Sequence, residues 1–150
     1  VWVKANNEVK HEILKLQGAA YLKVHDFNKA SSKLFESYNY KIDDEKSISN
    51  KALAFLIIMD YEKAIEFAEK AISLNPSNVT AYSILIQAKY ELENNLDFIV
   101  DIPKAILTYS EVSYTIGDIF HRMILNFLNE FRASPQYSTI SGGRKKESRG

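Results

Sequence analysis

Small and large apolar residues recur along this chain in a pattern that repeats after 34 positions. Gly18-Ala19-Ala20-Tyr21, followed by Asp26-Phe27 and Ala30, overlays Ala52-Leu53-Ala54-Phe55, followed by Asp60-Tyr61 and Ala64. Each copy predicts two antiparallel helices joined by a turn. Gly18, Ala20 and Ala30, then Ala52, Ala54 and Ala64, stand where two helix axes approach. Tyr21, Phe27, Phe55 and Tyr61 are expected to fill the space between helices, because interiors pack as densely as organic crystals. Ala68 and Ala71 lie three apart on the second helix, on the face that meets the next repeat. Pro76 has no backbone N–H and cannot continue that helix, so Asn75-Pro76-Ser77-Asn78 reads as the turn between repeats. Self-similarity at a fixed period of this length is the signature of a solenoid.

Later copies are weaker. A further shift of 34 places Tyr82, Leu85 and Ala88 on a third first helix. The second helix then loses the pattern, and Asn94 to Pro103 reads as a short helical segment followed by another starting at Pro103, suited to the first helical position. Ile116-Gly117-Asp118-Ile119-Phe120 mirrors Leu85 to Lys89 after a shift of 31. A fourth first helix is therefore expected near Ser110, with that serine as N-cap, running to about Arg132 because no breaker precedes Pro135. The implied organisation is the end of a preceding helix or a linker over 1–10, and an array over 11–132. The array divides into 11–44, 45–78, a degenerate 79–109 and a partial 110–132; a flexible basic tail follows over 133–150. Neither end supplies a polar capping helix, so the chain is expected to be a segment of a longer array.

An apolar share of 46%, with eight Phe, nine Tyr and one Trp, belongs to a packed rather than a disordered chain. Formal charge is zero, but residues 144–150 carry three net positive charges and leave three net negative on the remainder. An acidic body argues against nucleic acid as a general partner, and the basic tail is the place where such contact is expected if it occurs. The longest uncharged apolar run, Ala52 to Met59, is far short of a membrane span. No secretory signal is visible, and zero cysteines remove disulfides, thiolate metal sites and cysteine nucleophiles. These features fit an intracellular, cytoplasmic protein.

No chemistry-bearing constellation emerges. His11-Glu12-Ile13-Leu14-Lys15 begins like the zinc-protease helix motif, but Lys15 stands where the second histidine ligand belongs. His11 is expected on a helix surface and His25 in a solvated turn. Asn78-Val79-Thr80 fits a glycosylation acceptor, yet Asn78 is better explained as a cap or turn residue. Gly142-Gly143 lacks the lysine and helix that a phosphate-binding loop needs. The expectation is no enzyme activity, no metal and no cofactor.

The residues of 11–78, and more loosely those up to 132, resemble the tetratricopeptide (TPR) repeat family. The resemblance implies an all-α, right-handed superhelix of antiparallel helix pairs whose first helices line a concave groove for a peptide or a partner's helix. Its groove positions fall on Glu12, Lys15, Leu16, Ala19, Leu22 and Lys23, then Lys46, Ser49, Asn50, Leu53, Leu56 and Ile57, then Thr80, Ser83, Ile84, Gln87, Tyr90 and Glu91. The binding residues expected among them are Lys15, Leu16, Leu22, Asn50, Leu53, Leu56, Ile57, Ile84, Gln87 and Tyr90. One TPR subclass holds acidic chaperone C-terminal tails in a two-carboxylate clamp. Lys15 and Asn50 match clamp positions, but Ala19, Thr80 and Ile84 do not supply its remaining polar and basic groups, which disfavours such a tail. The run Ala52 to Met59 is apolar all round, so Leu53, Leu56 and Ile57 either form an apolar patch with Leu16, Leu22 and Ile84 or are covered by flanking repeats or the chain's own long last helix. The expected role is a protein–protein interaction scaffold with a largely apolar groove. The alternative is a regulatory or substrate-selecting array attached to a catalytic domain outside this chain.

Overall fold

A computed structural model describes residues 2–40 and 44–135. Among these every regular element is helical: α1 (Trp2–Lys23), α2 (Phe27–Tyr38), α3 (Glu45–Ile57), α4 (Tyr61–Leu74), α5 (Val79–Glu93), a 3₁₀ turn (Asp97–Asp101), α6 (Lys104–Leu107) and α7 (Ser110–Ala133). The described residues fall into two compact units divided after Thr115, the second holding most of α7.

Within the first unit each helix packs on the next, α1 on α2, α2 on α3, α3 on α4 and α4 on α5, and α3 also meets α5. The repeat alanines account for this close stacking. Ala30, Ala52, Ala54, Ala64, Ala68 and Ala71 have no exposed surface. One size exchange separates the two copies. Gly18 faces the buried Leu34, and a Cβ at Gly18 would come within 2.9 Å of Leu34 Cγ. The positions 34 later hold Ala52 and Ala68, so a smaller residue on one helix is matched by a larger one on the other. Phe55 stands between Phe35, edge-on at 4.9 Å, and Phe67, stacked at 5.4 Å. Lys51 Nζ lies 4.2 Å from the Tyr38 ring centre and 4.6 Å from that of Phe67, a cation–π contact with both.

The turns inside the two pairs are the same structure. His25 N–H donates to the Leu22 carbonyl at 3.1 Å and Asp26 N–H to that of Tyr21 at 3.0 Å. Met59 and Asp60 repeat these bonds to Leu56 and Phe55 at 3.1 and 2.9 Å. This is the Schellman arrangement, whose C′ residue must be left-handed; His25 and Met59 have φ of 60° and 65°. The next residue caps the second helix: Asp26 Oδ1 accepts from Lys29 N–H and Asp60 Oδ1 from Lys63 N–H.

Several expectations change. Residues 2–10 are not the end of a separate helix: they form the first turns of α1, because neither proline nor glycine interrupts the backbone ladder before Gly18. Ala20 is exposed although Ala54 is buried, since α3 is packed by α2, α4 and α5 while the main contact of α1 is α2. His11 is buried at 1% exposure rather than on the surface. It shares a face with the buried Leu14 and Gly18, a 3,4 spacing that marks the inward side. Its Nδ1 lies 3.1 Å from the Ser37 carbonyl oxygen, which can only accept, so Nδ1 carries the proton there. Pro103 is the N-cap of α6 rather than its first residue, and Ser110 opens α7 rather than capping it. Of the basic tail expected over 133–150, Ala133 is the last residue of α7, and residues 136–150 lie outside the described residues.

Candidate functional site

The first turns of α3 and α5 are pinned to each other by side chains. Asn78, the N-cap of α5, accepts from Ala81 N–H through Oδ1 at 2.9 Å. Its Nδ2 donates to Ser49 Oγ at 2.7 Å and to Glu45 Oε2. Asn75 Nδ2 reaches the other oxygen of Glu45 at 3.3 Å. The Glu45 carboxylate is thus engaged by two amides from the turn between α4 and α5, which fixes that turn against the start of α3.

Beside this network lies a hollow of about 390 Å³ lined by Lys15 of α1, Glu45, Lys46, Ser49 and Asn50 of α3, Asn75 and Asn78 of the turn, and Thr80 of α5. Three successive first helices therefore contribute to one concavity. Lys15 also pairs with Glu12 one turn earlier at 2.7 Å. Asn50 Nδ2 is buried and has no hydrogen-bond partner among the described residues. An unsatisfied buried amide costs about 1–3 kcal/mol, so this donor gains from any acceptor placed in the hollow. Two ammonium groups, an unused amide and the Ser49 hydroxyl line the hollow beside the Glu45 carboxylate, while the Thr80 hydroxyl already donates to Glu111.

The sequence-derived groove residues separate into four sets. Lys15 and Asn50 line the hollow. Leu16 is 64% exposed, and Leu22, Leu53, Leu56 and Ile57 are half-buried. Ile84 and Tyr90 are covered, at 3% and 5% exposure, and present almost no surface to a ligand, so for Ile84 the structure favours coverage over membership of an exposed patch. Gln87 Nε2 is engaged by Glu91 at 2.8 Å. Glu45, Asn75 and Asn78 escape a reading by repeat position, because their shared role is a contact across a turn. The one available signal was Asn78 at a cap position.

No family model matches the chain. Over 86 residues, 57% of its length, it is 34% identical to small glutamine-rich tetratricopeptide repeat-containing protein 2 of Saccharomyces cerevisiae, and it spans 25% of that protein. The TPR domain of Arabidopsis OM64 superposes with a TM-score of 0.61 at 22% identity, covering 77% of this chain and 98% of that domain. The second TPR domain of human RPAP3, solved with the HSP70 peptide SGPTIEEVD, gives a TM-score of 0.59 at 19% identity, covering 75% and 97%. With the 34-residue period, the paired Schellman turns and the buried alanine seam, these likenesses make the chain a TPR-like, all-α segment.

Proposed function

We propose that the protein is a non-enzymatic interaction scaffold that holds an extended peptide or amphipathic helix of a partner protein against α1, α3 and α5. The carrying observation is the hollow where these three helices converge and Asn50 leaves an amide donor unused. Lys15, Lys46 and Asn50 would orient acceptors on the ligand, while Leu16, Leu53, Leu56 and Ile57 receive its apolar anchors. A few such anchors supply most of the energy in groove recognition.

The RPAP3 domain binds an HSP70 peptide with an acidic end, which supports a peptide as the kind of ligand. The site in this chain differs from a two-carboxylate clamp. Ala19 and the covered Ile84 donate nothing, and the Glu45 carboxylate stands in the wall. An apolar-anchored ligand is therefore preferred over an acidic tail.

Fluorescence anisotropy with two labelled peptides tests this. An amphipathic peptide with leucines at i and i+4 is expected to bind more tightly than SGPTIEEVD. Leu56→Asp should abolish binding with helical content unchanged, and Asn50→Ala should weaken it roughly 3–10-fold, the value of one hydrogen bond. Tighter binding of SGPTIEEVD, lost on Lys15→Glu, would make the hollow an acidic-tail site instead. Failure of both peptides would sink the groove reading.

A further inference from the structure

The hollow between α1, α3 and α5 brings two opposite kinds of hydrogen-bonding group close together. Asn50 Nδ2 is a buried donor with no partner among the described residues. Ser49 Oγ accepts from Asn78 Nδ2 at 2.7 Å, which leaves its O–H as a second donor. The acceptor is the Glu45 carboxylate, bonded to the same Asn78 nitrogen. Because both bonds meet at one nitrogen, the Ser49 and Glu45 oxygens stand no more than about 6 Å apart, two hydrogen-bond lengths. Glu45 receives one amide on each oxygen, from Asn75 and Asn78. A carboxylate offers about four lone-pair sites, so it can accept again.

Charge restricts what can enter. Lys15 and Lys46 line the hollow with Glu45, and two more carboxylates touch its lining residues. Glu12 lies 2.7 Å from Lys15, and Glu111 accepts from Thr80 at 3.4 Å. Two cations are thus matched by three anions, which leaves no surplus positive charge for an anionic ligand. A carboxylate would satisfy the donors but set a second anion beside Glu45, with no proton to give it. An ammonium or guanidinium would reach Glu45 but leave the Asn50 and Ser49 donors unpaired, beside two lysines. A carboxamide is neutral and carries a carbonyl and an amino group on one carbon, so it serves both sides at once.

We infer that the hollow receives a carboxamide, the side chain of a glutamine or asparagine of the bound partner. Its carbonyl accepts from Asn50 and Ser49, and its N–H donates to Glu45. This rests on the groove reading above and names the polar group that the groove selects.

Two isomeric peptides test it on the full 150-residue chain. Asn50 stands one turn before Leu53 on α3, so a group reaching it sits one turn outside the leucines of an amphipathic ligand. Both peptides carry leucines at i and i+4. The first has glutamine at i−3 and i+7 and glutamate on the far face at i+2 and i+9; the second has these exchanged. Composition and net charge are the same, so a difference in affinity reports position alone. By fluorescence anisotropy the first should bind at least about tenfold more tightly, the value of a hydrogen bond to a charged group. Glu45→Gln removes the anion and should cut that preference to about threefold or less. In the unaltered chain the Asn50 side-chain amide resonances, assigned by their loss in Asn50→Ala, should shift with the first peptide and not with the second. They decide the matter should Glu45→Gln fail to fold. Equal affinities would mean that solvent fills the hollow, and tighter binding of the second peptide that it holds a carboxylate. Either result overturns the carboxamide while the groove reading stands. A preference undiminished in folded Glu45→Gln, or Asn50 resonances indifferent to the first peptide, would overturn it as well. If neither peptide binds, the groove reading and this inference fall together.

Discussion

Gly18 and Leu34 offer a measurement of how tightly the first helix pair is specified. In a helix interior, alanine is more favourable than glycine by about 0.8–1.0 kcal/mol. Gly117 shows this gain alone, since a Cβ there meets nothing within 4 Å. Gly117→Ala should therefore stabilise by about 1 kcal/mol. At Gly18 the same Cβ would stand 2.9 Å from Leu34 Cγ and 3.0 Å from Cδ2, with Leu34 only 2% exposed and closely surrounded. Overpacking of this kind costs about 1–3 kcal/mol, so Gly18→Ala should be neutral to destabilising by about 2 kcal/mol despite its better propensity. Leu34→Ala alone opens a cavity and should cost about 2–5 kcal/mol. In that background the added methyl enters free space, and Gly18→Ala becomes stabilising, because the pair then copies Ala52 and Ala68. Urea denaturation followed by circular dichroism at 222 nm, with an unchanged slope confirming two comparable native states, gives the four free energies. The coupling expected is at least about 1 kcal/mol in favour of the double variant. A coupling below about 0.5 kcal/mol, or a Gly18→Ala variant as stable as Gly117→Ala, would refute the close-approach reading.

Met59 occupies a left-handed C′ position with φ 65° and is 72% exposed. Met59→Gly should therefore raise stability by about 0.5–1 kcal/mol, the backbone relief outweighing glycine's unfolded-state entropy, while Met59→Val should lower it. Thermal unfolding compares the three, and a lower midpoint for the glycine variant contradicts the Schellman assignment. His11→Ala deletes a buried ring and the donor to the Ser37 carbonyl, so a loss of about 2–4 kcal/mol in urea is expected. A loss below about 0.5 kcal/mol, the range of surface sites, would mean that His11 is peripheral.

Local chemistry at fixed spacing is what the sequence by itself determined. Asp26 and Asp60 at the caps and Pro76 after α4 each act on their own backbone or on a neighbour one turn away, and the alanines at the helix crossings are legible because they recur with the period of 34. Such effects survive without knowledge of distant residues, so the helix pairs of 11–78 and the span of α7 were legible in advance. The tertiary structure decided whatever depends on what lies across a helix. Ala20 and Ala54 are equivalent by repeat, yet one is exposed and the other buried because α3 has more neighbours than α1. His11 looks like an ordinary polar helix residue until α2 delivers the Ser37 carbonyl to its ring. Ile84, equivalent to Asn50, is covered, while Glu45, Asn75 and Asn78 become a network only when the turn after α4 folds over the start of α3. Burial is a property of the whole neighbourhood, and a repeat fixes only the part of that neighbourhood that repeats.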